Sequence, residues 1–163
     1  MKILVTSDAH GDVAAMTKVL ERCDGHVDMC VFLGDGADAA DYALSLFPRL
    51  ARVIVRGNCD EFRLDSSAYP DEALFEADGV TFLCAHGHRL GVKGGTARAA
   101  AYAAKKGAGV LLYGHTHRRD DEVVETPDGE VRVINPGAIG RGGGSFALVE
   151  TVKGKVVCGF ADV

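Results

Sequence analysis

No stretch of this 163-residue chain approaches the roughly 20 consecutive apolar residues that a helix needs to cross a bilayer, so no membrane partner is expected. The N-terminal segment MKILVTSDAH offers only Ile3, Leu4 and Val5 before polar residues begin. That run is too short for the apolar core of a signal peptide, and the expected location is the cytoplasm. There is no CxxC. Cys23, Cys30, Cys59, Cys84 and Cys158 are odd in number and irregularly spaced, which excludes a zinc ribbon or a regular disulfide framework and predicts reduced thiols, mostly core fillers. A surplus of positive charge is also missing. Eighteen Lys and Arg against 23 Asp and Glu leave a formal net charge of −5, which argues against tight binding of duplex nucleic acid. That tally omits bound cations; two divalent ions would cancel most of it, so the acidity is also what a metal site looks like without its metal. No repeat, linker or low-complexity segment appears, apart from the Gly-rich GRGGG at 140–144, expected to be a mobile loop. Residues 1–163 are therefore expected to form one domain.

What is present is an ordinary globular composition, 47% apolar and 25% charged, with enough apolar side chains for a sizeable core. KILVT (2–6) reads as a strand buried on both faces. After the polar SDAHGD, the spacing of Met16, Val19, Leu20 and Cys23 predicts a helix capped by Asp12 and ended by Gly25. MCVFL (29–33) and RVIV (52–55) read as further strands, with a short helix between them marked by Ala40, Ala43, Leu44 and Phe47 and stopped before Pro48. Residues 56–72 read as loop. ALFEA and VTFLCA flank Asp78-Gly79, a hairpin signal. Ala97 to Lys106 is a strong helix former closed by Gly107, and GVLLY (109–113) is another short buried strand. The tail reads as two hairpins, antiparallel where the front looks parallel.

Metal-competent side chains follow five of these strands. KILVT leads to Asp8 and His10, VFL to Asp35, VIV to Asn58, TFLCA to His86, and LLY to His115 and His117. Ligands of open α/β sheets gather at the carboxyl ends of the strands, so these residues are expected to converge. On an extended backbone, side chains two apart point the same way, which would let each i, i+2 pair face one site. Carboxylate, imidazole and amide oxygen without a thiolate pair favour Mn2+, with Fe, Zn2+ and Ni2+ as alternatives. Seven candidate ligands suit two divalent ions sharing a bridging carboxylate, a centre suited to in-line displacement at phosphorus.

Read together, SDAHG (7–11), GDGAD (34–38), GNCD (57–60), AHGH (85–88) and GHTH (114–117) resemble the calcineurin-like metallophosphoesterase family, whose pattern runs D-x-H, GD, GN-H-D/E, H, GH-x-H. The resemblance covers about residues 2–120, and INPGAIG (134–140) extends it. The chain looks most like the small bacterial and archaeal phosphodiesterases. The resemblance implies an α/β fold, a two-sheet αββα sandwich with its active site at the C-terminal ends of the strands. It implies that Asp8, His10 and His117 hold one metal, that Asn58, His86 and His115 hold the other, and that Asp35 bridges them together with a hydroxide that attacks the phosphoester. The substrate implied is a phosphodiester small molecule or nucleotide.

The sequence departs from the family at Cys59, where a histidine assisting the leaving group is usual. A thiol is a poor hydrogen-bond donor, so the expectation is a preference for activated or aryl diesters. Ala138 stands where a serine is common in similar sequences. Cys59 and His88 are further catalytic candidates, and Arg118 and Arg141 are candidates for holding a substrate phosphate. Asp12, Asp38 and Asp60 are candidates for orienting ligand histidines, with helix capping or solvation also explaining the first two. Two other functions stay open on the residues: a non-catalytic protein-binding scaffold on the same fold, and a phosphomonoesterase or nucleotidase.

Overall fold

The computed structural model describes residues 1–61, 68–140 and 144–163. Its elements run β1 (Lys2–Thr6), α1 (Val13–Cys23), β2 (Met29–Phe32), α2 (Ala37–Ser45), β3 (Ala51–Ile54), β4 (Glu72–Ala77), β5 (Val80–Ala85), α3 (Ala97–Lys105), β6 (Val110–Leu112), β7 (Arg119–Thr126), β8 (Gly129–Pro136), β9 (Ser145–Val152) and β10 (Lys155–Asp162), with two single turns of 3-10 helix at His88–Leu90 and Val92–Gly94. They build two five-stranded sheets, ordered β10-β9-β1-β2-β3 and β4-β5-β6-β8-β7. The αββα sandwich expected from the sequence is the fold.

The apolar strands are buried on both faces because each serves two cores, and the strand pleat sorts their residues. Ile3 and Val5 of β1, Val31 and Leu33 around β2, Phe82 and Cys84 of β5, and Val110 and Leu112 of β6 face the layer between the sheets. The intervening Leu4, Cys30 and Phe32 pack under α1 and α2. Leu83 and Leu111 pack under α3. Helix α1 begins where Asp12 accepts a hydrogen bond from the Ala15 N–H at 2.9 Å, and it buries Met16, Val19, Leu20 and Cys23 against the first sheet. Helix α3 fully buries only alanines, Ala99, Ala100 and Ala103, against the second sheet, with Tyr102 and Ala104 half-buried beside them.

The tail differs from its expected form. Both hairpins exist, β7 with β8 and β9 with β10, but neither is a separate antiparallel unit. Strand β8 pairs parallel with β6, and β9 pairs antiparallel with β1, so each hairpin widens one sheet. The front is likewise not purely parallel, since β4 and β5 form the hairpin about Asp78-Gly79. Of the 56–72 loop, residues 62–67 lie outside the described residues, as do residues 141–143 of the Gly-rich loop. Among the described residues, no helix is long and apolar enough to cross a membrane.

Candidate metal centre

The parallel strands β1, β2 and β3 of one sheet and β5 and β6 of the other end at the same rim of the sandwich. Their loops are laced together by the backbone. Asp8 and His10 donate from their N–H groups to the carbonyls of Gly34 (2.9 Å) and Asp35 (2.8 Å), and Gly114 donates to His86 (3.1 Å). Contacts also cross between the sheets: the His115 N–H donates to Asp8 Oδ2 (3.1 Å), and His86 Nδ1 donates to the Leu33 carbonyl (2.7 Å). The second bond sets the His86 tautomer, leaving Nε2 with a lone pair turned into the rim.

Six of the expected residues fall into two groups whose donor atoms lie within 4.8 Å of one another: Asp8 with His10 and His117, and Asp35 with His86 and His115. The two histidines of GHTH thus face different groups. Asp8 Oδ1 stands 3.1 Å from His117 Nε2, 4.0 Å from His10 Nε2 and 3.9 Å from His86 Nε2, and His86 Nε2 is 3.4 Å from Asp35 Oδ2. Donors bound at about 2.1 Å stand about 3.0 to 3.4 Å apart around one ion, and the Asp8–His117 and Asp35–His86 spacings fall in that range while the other two are wider. A third group joins His10 and Asp35 to Cys59. Asn58 sits on the same turn as Cys59, whose N–H donates to Asp35 Oδ1 at 2.7 Å.

The expected convergence holds, but the extended-strand reason for it does not. Asp8 (φ 57°), His10 (48°), Asp35 (60°), His115 (68°) and His117 (59°) all sit in left-handed backbone, and they are five of the seven non-glycine residues that do so among the described residues. Each i, i+2 pair turns inward through this conformation rather than through a strand's pleat. The conformation costs about 1–2 kcal/mol per L-residue, least for Asp and Asn, and such strain gathers at functional sites.

Electrostatics point to missing positive charge. Asp8 and Asp35 are 0% and 2% exposed, and among the described residues only imidazoles lie within ion-pair distance of either. Buried carboxylates need compensation by cations or hydrogen bonds. Burial raises the Asp35 pKa, but hydrogen bonding and charge from His86 and the Cys59 N–H outweigh it and hold the carboxyl below the usual carboxylate range. Burial opposes a proton on His86, while Asp35 and Asp8 favour one, and the balance lies above the ordinary histidine value. Burial and then the His86 charge push His115 down to about 4, leaving a neutral imidazole. Asp8 Oδ1, Asn58 Oδ1 and His86 Nε2 are buried with no hydrogen-bond partner. Three such atoms at one rim, beside two carboxylates, fit a site for divalent cations.

Other expected residues stand apart. His88 Nε2 meets Glu61 Oε1 at 3.1 Å, and the ring lies 5.4 Å from that of His86, outside both groups. Arg118 is exposed and lines a separate cleft with Lys93 and Thr116. Arg141 lies outside the described residues. Burial and the Asp35 charge push the Cys59 thiol up to about 11.

Three residues that the sequence reading missed or misread hold the loops in place. Asp60 orients no histidine. Its buried carboxylate accepts from the N–H groups of Asp35 (2.8 Å), Gly36 (2.8 Å), Ala37 (3.1 Å) and Gly57 (2.8 Å), joining the loops after β2 and β3 and capping α2, whose Gly36 has no side chain for the purpose. Ser7 Oγ donates to Asp8 Oδ2 at 2.6 Å, which leaves Oδ1 facing the rim. Asn135, from INPGAIG, donates to the Gly114 carbonyl and Thr116 Oγ1 and so fixes the GHTH loop. The glycines of GN and GH are there for close approach: a Cβ on Gly57 would overlap the Asp35 carboxylate, and one on Gly114 would overlap Ser7 Oγ.

A two-sheet sandwich with this cluster at its rim is the metallophosphoesterase fold. Residues 1–154 match the calcineurin-like phosphoesterase superfamily domain, and the chain belongs to that family, whose members are hydrolases that typically bind divalent metals. It is 32% identical over 140 residues to the probable metallophosphoesterase YsnB of Bacillus subtilis, covering 85% of this chain and 75% of that one. It is 29% identical over 150 residues to phosphodiesterase MJ0936 of Methanocaldococcus jannaschii, covering 84% and 83%. Among solved structures, a conserved Streptococcus pneumoniae protein described as a predicted phosphoesterase matches with a TM-score of 0.79 and 25% identity over 99% of this chain and 88% of that one. Vps29 of Entamoeba histolytica, in a complex with zinc, shares the fold with a TM-score of 0.71 at 21% identity over 99% of each chain.

Replacing Asp60 with alanine strands four buried backbone donors, and the unfolding free energy measured in urea should fall by about 3 kcal/mol or more; an unchanged midpoint would refute that role. In EDTA-treated protein, an unfolded His115 takes up a proton below about 6.5. The folded one does so only near 4, so its contribution to stability falls as pH drops from 6.5 towards 4. Urea titrations at a series of pH values should show a shallower loss over that window in His115→Gln than in the wild type.

Proposed function

We propose that this protein is a metal-dependent phosphodiesterase, a single domain over residues 1–163, with two divalent ions, Mn2+ foremost, at the rim. In this reading Asp8, His10 and His117 hold one ion, Asn58, His86 and His115 hold the second, and Asp35 lies between them. The observation that carries it is the set of buried donors without partners, Asp8 Oδ1, Asn58 Oδ1 and His86 Nε2. A protein-binding scaffold would gain nothing from keeping three such groups dry and unpaired, at a cost of about 1–3 kcal/mol each.

When bound, such ions polarise phosphoryl oxygens and bring the pKa of a coordinated water from 15.7 to roughly 7, which makes it a nucleophile at neutral pH. The chain's own residues supply geometry. Asp35 is held at Oδ1 by the Cys59 N–H, which leaves Oδ2 facing His86 Nε2 at 3.4 Å across the rim. Ser7 and the His115 N–H occupy Asp8 Oδ2 and aim Oδ1 inward. Hydrolysis adds water at phosphorus and breaks the bond to the leaving oxygen, giving a monoester and an alcohol. Where the family resemblance places a histidine at that oxygen, this chain has Cys59, a thiol with its pKa pushed up to about 11 and a weak donor that suits leaving groups able to depart without a proton. The phosphodiesterase name of the archaeal relative and the free state of all five cysteines accord with a cytoplasmic diesterase.

Purified protein should bind two divalent ions per chain and hydrolyse bis-p-nitrophenyl phosphate faster than p-nitrophenyl phosphate. Asp35→Asn should lower kcat/KM by about 100-fold or more. Binding of no ion, or a preference for the monoester, would overturn the reading. Cys59→His should raise the rate on alkyl diesters by about tenfold or more while changing aryl diesters little; equal gains on both would show that position 59 does not serve the leaving group.

A further inference from the structure

One cleft beside the centre is built but not accounted for by metal binding. It encloses about 640 Å3, within the range of small-molecule sites, and runs from His86 and His88 along one face of α3. Arg98, Ala101, Tyr102 and Lys105 line it at i, i+3, i+4 and i+7, one continuous helical stripe opposite the alanines that pack on the sheet. Ala101 leaves the space open.

The walls are held by charges that satisfy one another. The Tyr102 hydroxyl donates to Glu72 Oε2 at 2.8 Å, and Lys106 meets Glu72 Oε1 at 2.6 Å while lying over the Tyr102 ring. Arg89 is spent between Glu61 (2.7 Å) and Asp71 (2.5 Å), and Asp71 also meets Arg56 (2.6 Å). Every acidic side chain lining the cleft is thereby matched to a cation. Arg98 and Lys105 are different: both are exposed, and among the described residues neither has a hydrogen-bond or ion-pair partner. The pattern is a rigid, partly apolar trough that reaches the metal centre and carries two uncommitted cations. The cleft on the other side of GHTH lacks this balance, because the Asp120 and Glu122 carboxylates there hold only the hydroxyls of Tyr113 and Thr96.

From this juxtaposition we infer that the α3 cleft is a substrate subsite in which Arg98 and Lys105 bind a second anionic group, a phosphate or carboxylate, on a diester whose scissile phosphate sits at the metal centre. The inference rests on the diesterase reading above. The substrate class is then a phosphodiester with an anionic substituent on its organic arm, as in a nucleotide bearing a second phosphoryl group. The Tyr102 ring and the alanine floor take the apolar part of that arm, and the guanidinium of Arg98 provides paired donors for the anion.

Two chromogenic probes differing by one phosphate test it: the p-nitrophenyl ester of thymidine 5′-phosphate, and the same ester carrying a 3′-phosphate. Wild-type protein loaded with Mn2+ should show kcat/KM at least about tenfold higher for the second probe, as expected for one charge-assisted contact pair. In the Arg98→Gln, Lys105→Gln double variant the ratio should fall to about threefold or less. Lys18→Gln, which removes the same kind of charge from α1, should keep the wild-type ratio. Equal rates on the two probes in the wild type, an unchanged ratio in the double variant, or an equal fall in Lys18→Gln would each overturn the subsite while leaving the diesterase in place. Failure to hydrolyse bis-p-nitrophenyl phosphate with any divalent cation would overturn both.

Discussion

The site depends on a carboxylate that never faces it. Asp60 gathers four backbone N–H groups from two loops and, with the Cys59 N–H that reaches Asp35 Oδ1, fixes the loop after β3 against the loop after β2. Three of those N–H groups belong to Asp35, Gly36 and Ala37, so the same charge positions the central carboxylate and caps α2. A negative charge at a helix N-terminus with three or more donors is stable even when 3% exposed. That anchoring permits the reverse arrangement at the rim, where Asp8 and Asp35 are buried with imidazoles and no Lys or Arg partner among the described residues. One acidic group is fully satisfied so that two others can be left wanting a cation.

Strain follows the same logic. Left-handed backbone at Asp8, His10, Asp35, His115 and His117 is unfavourable for each residue alone, and hydrogen bonds from the N–H groups of Asp8, His10, Asp35 and His115 hold the first four in it. Gly57 and Gly114 contribute by lacking a side chain: the loops pass so closely that a methyl group would strike Asp35 or Ser7. Because the loops come from both sheets, the geometry of the centre also depends on the apolar layer beneath it. Ile3, Val5, Val31, Leu33, Phe82, Cys84 and Leu112 set the spacing of the sheets, and with it the distance from Asp8 to His86.

Much of this could be read in the sequence, because apolar strands followed by Asp, His or Asn carry a positional signal: the strand fixes where its end lies, and the next residues inherit that position. Asp8 and His10 do share a site, yet a left-handed turn brings them there, and no residue pattern distinguishes that from an extended strand. Ser7 and Asp60 were illegible as positioning residues for another reason. Their partners are backbone N–H groups or a neighbouring carboxylate, and a backbone donor leaves no mark in residue types. Asn135 was marked only by belonging to INPGAIG. The parallel docking of β8 on β6 was hidden because a hairpin's sequence specifies its own pairing and says nothing of the strand on its outer edge.

Helix α3 shows how little residue identity is needed to separate structure from recognition. Its buried face is alanine alone, which brings the helix close to the second sheet and makes that face indifferent to anything but size. The opposite face carries Arg98, Tyr102 and Lys105, of which Arg98 and Lys105 are exposed and Tyr102 is half-buried against the edge of the second core. Tyr102 is tied by Glu72, and Glu72 also engages Lys106, so the helix pins its own aromatic wall through β4. Lys105, in the last turn, is favoured by the helix dipole, whereas Arg98, in the first turn, is opposed by it. Helix stability therefore does not account for Arg98 on that face, whereas an anion in the cleft, engaged by Arg98 and Lys105 together, does.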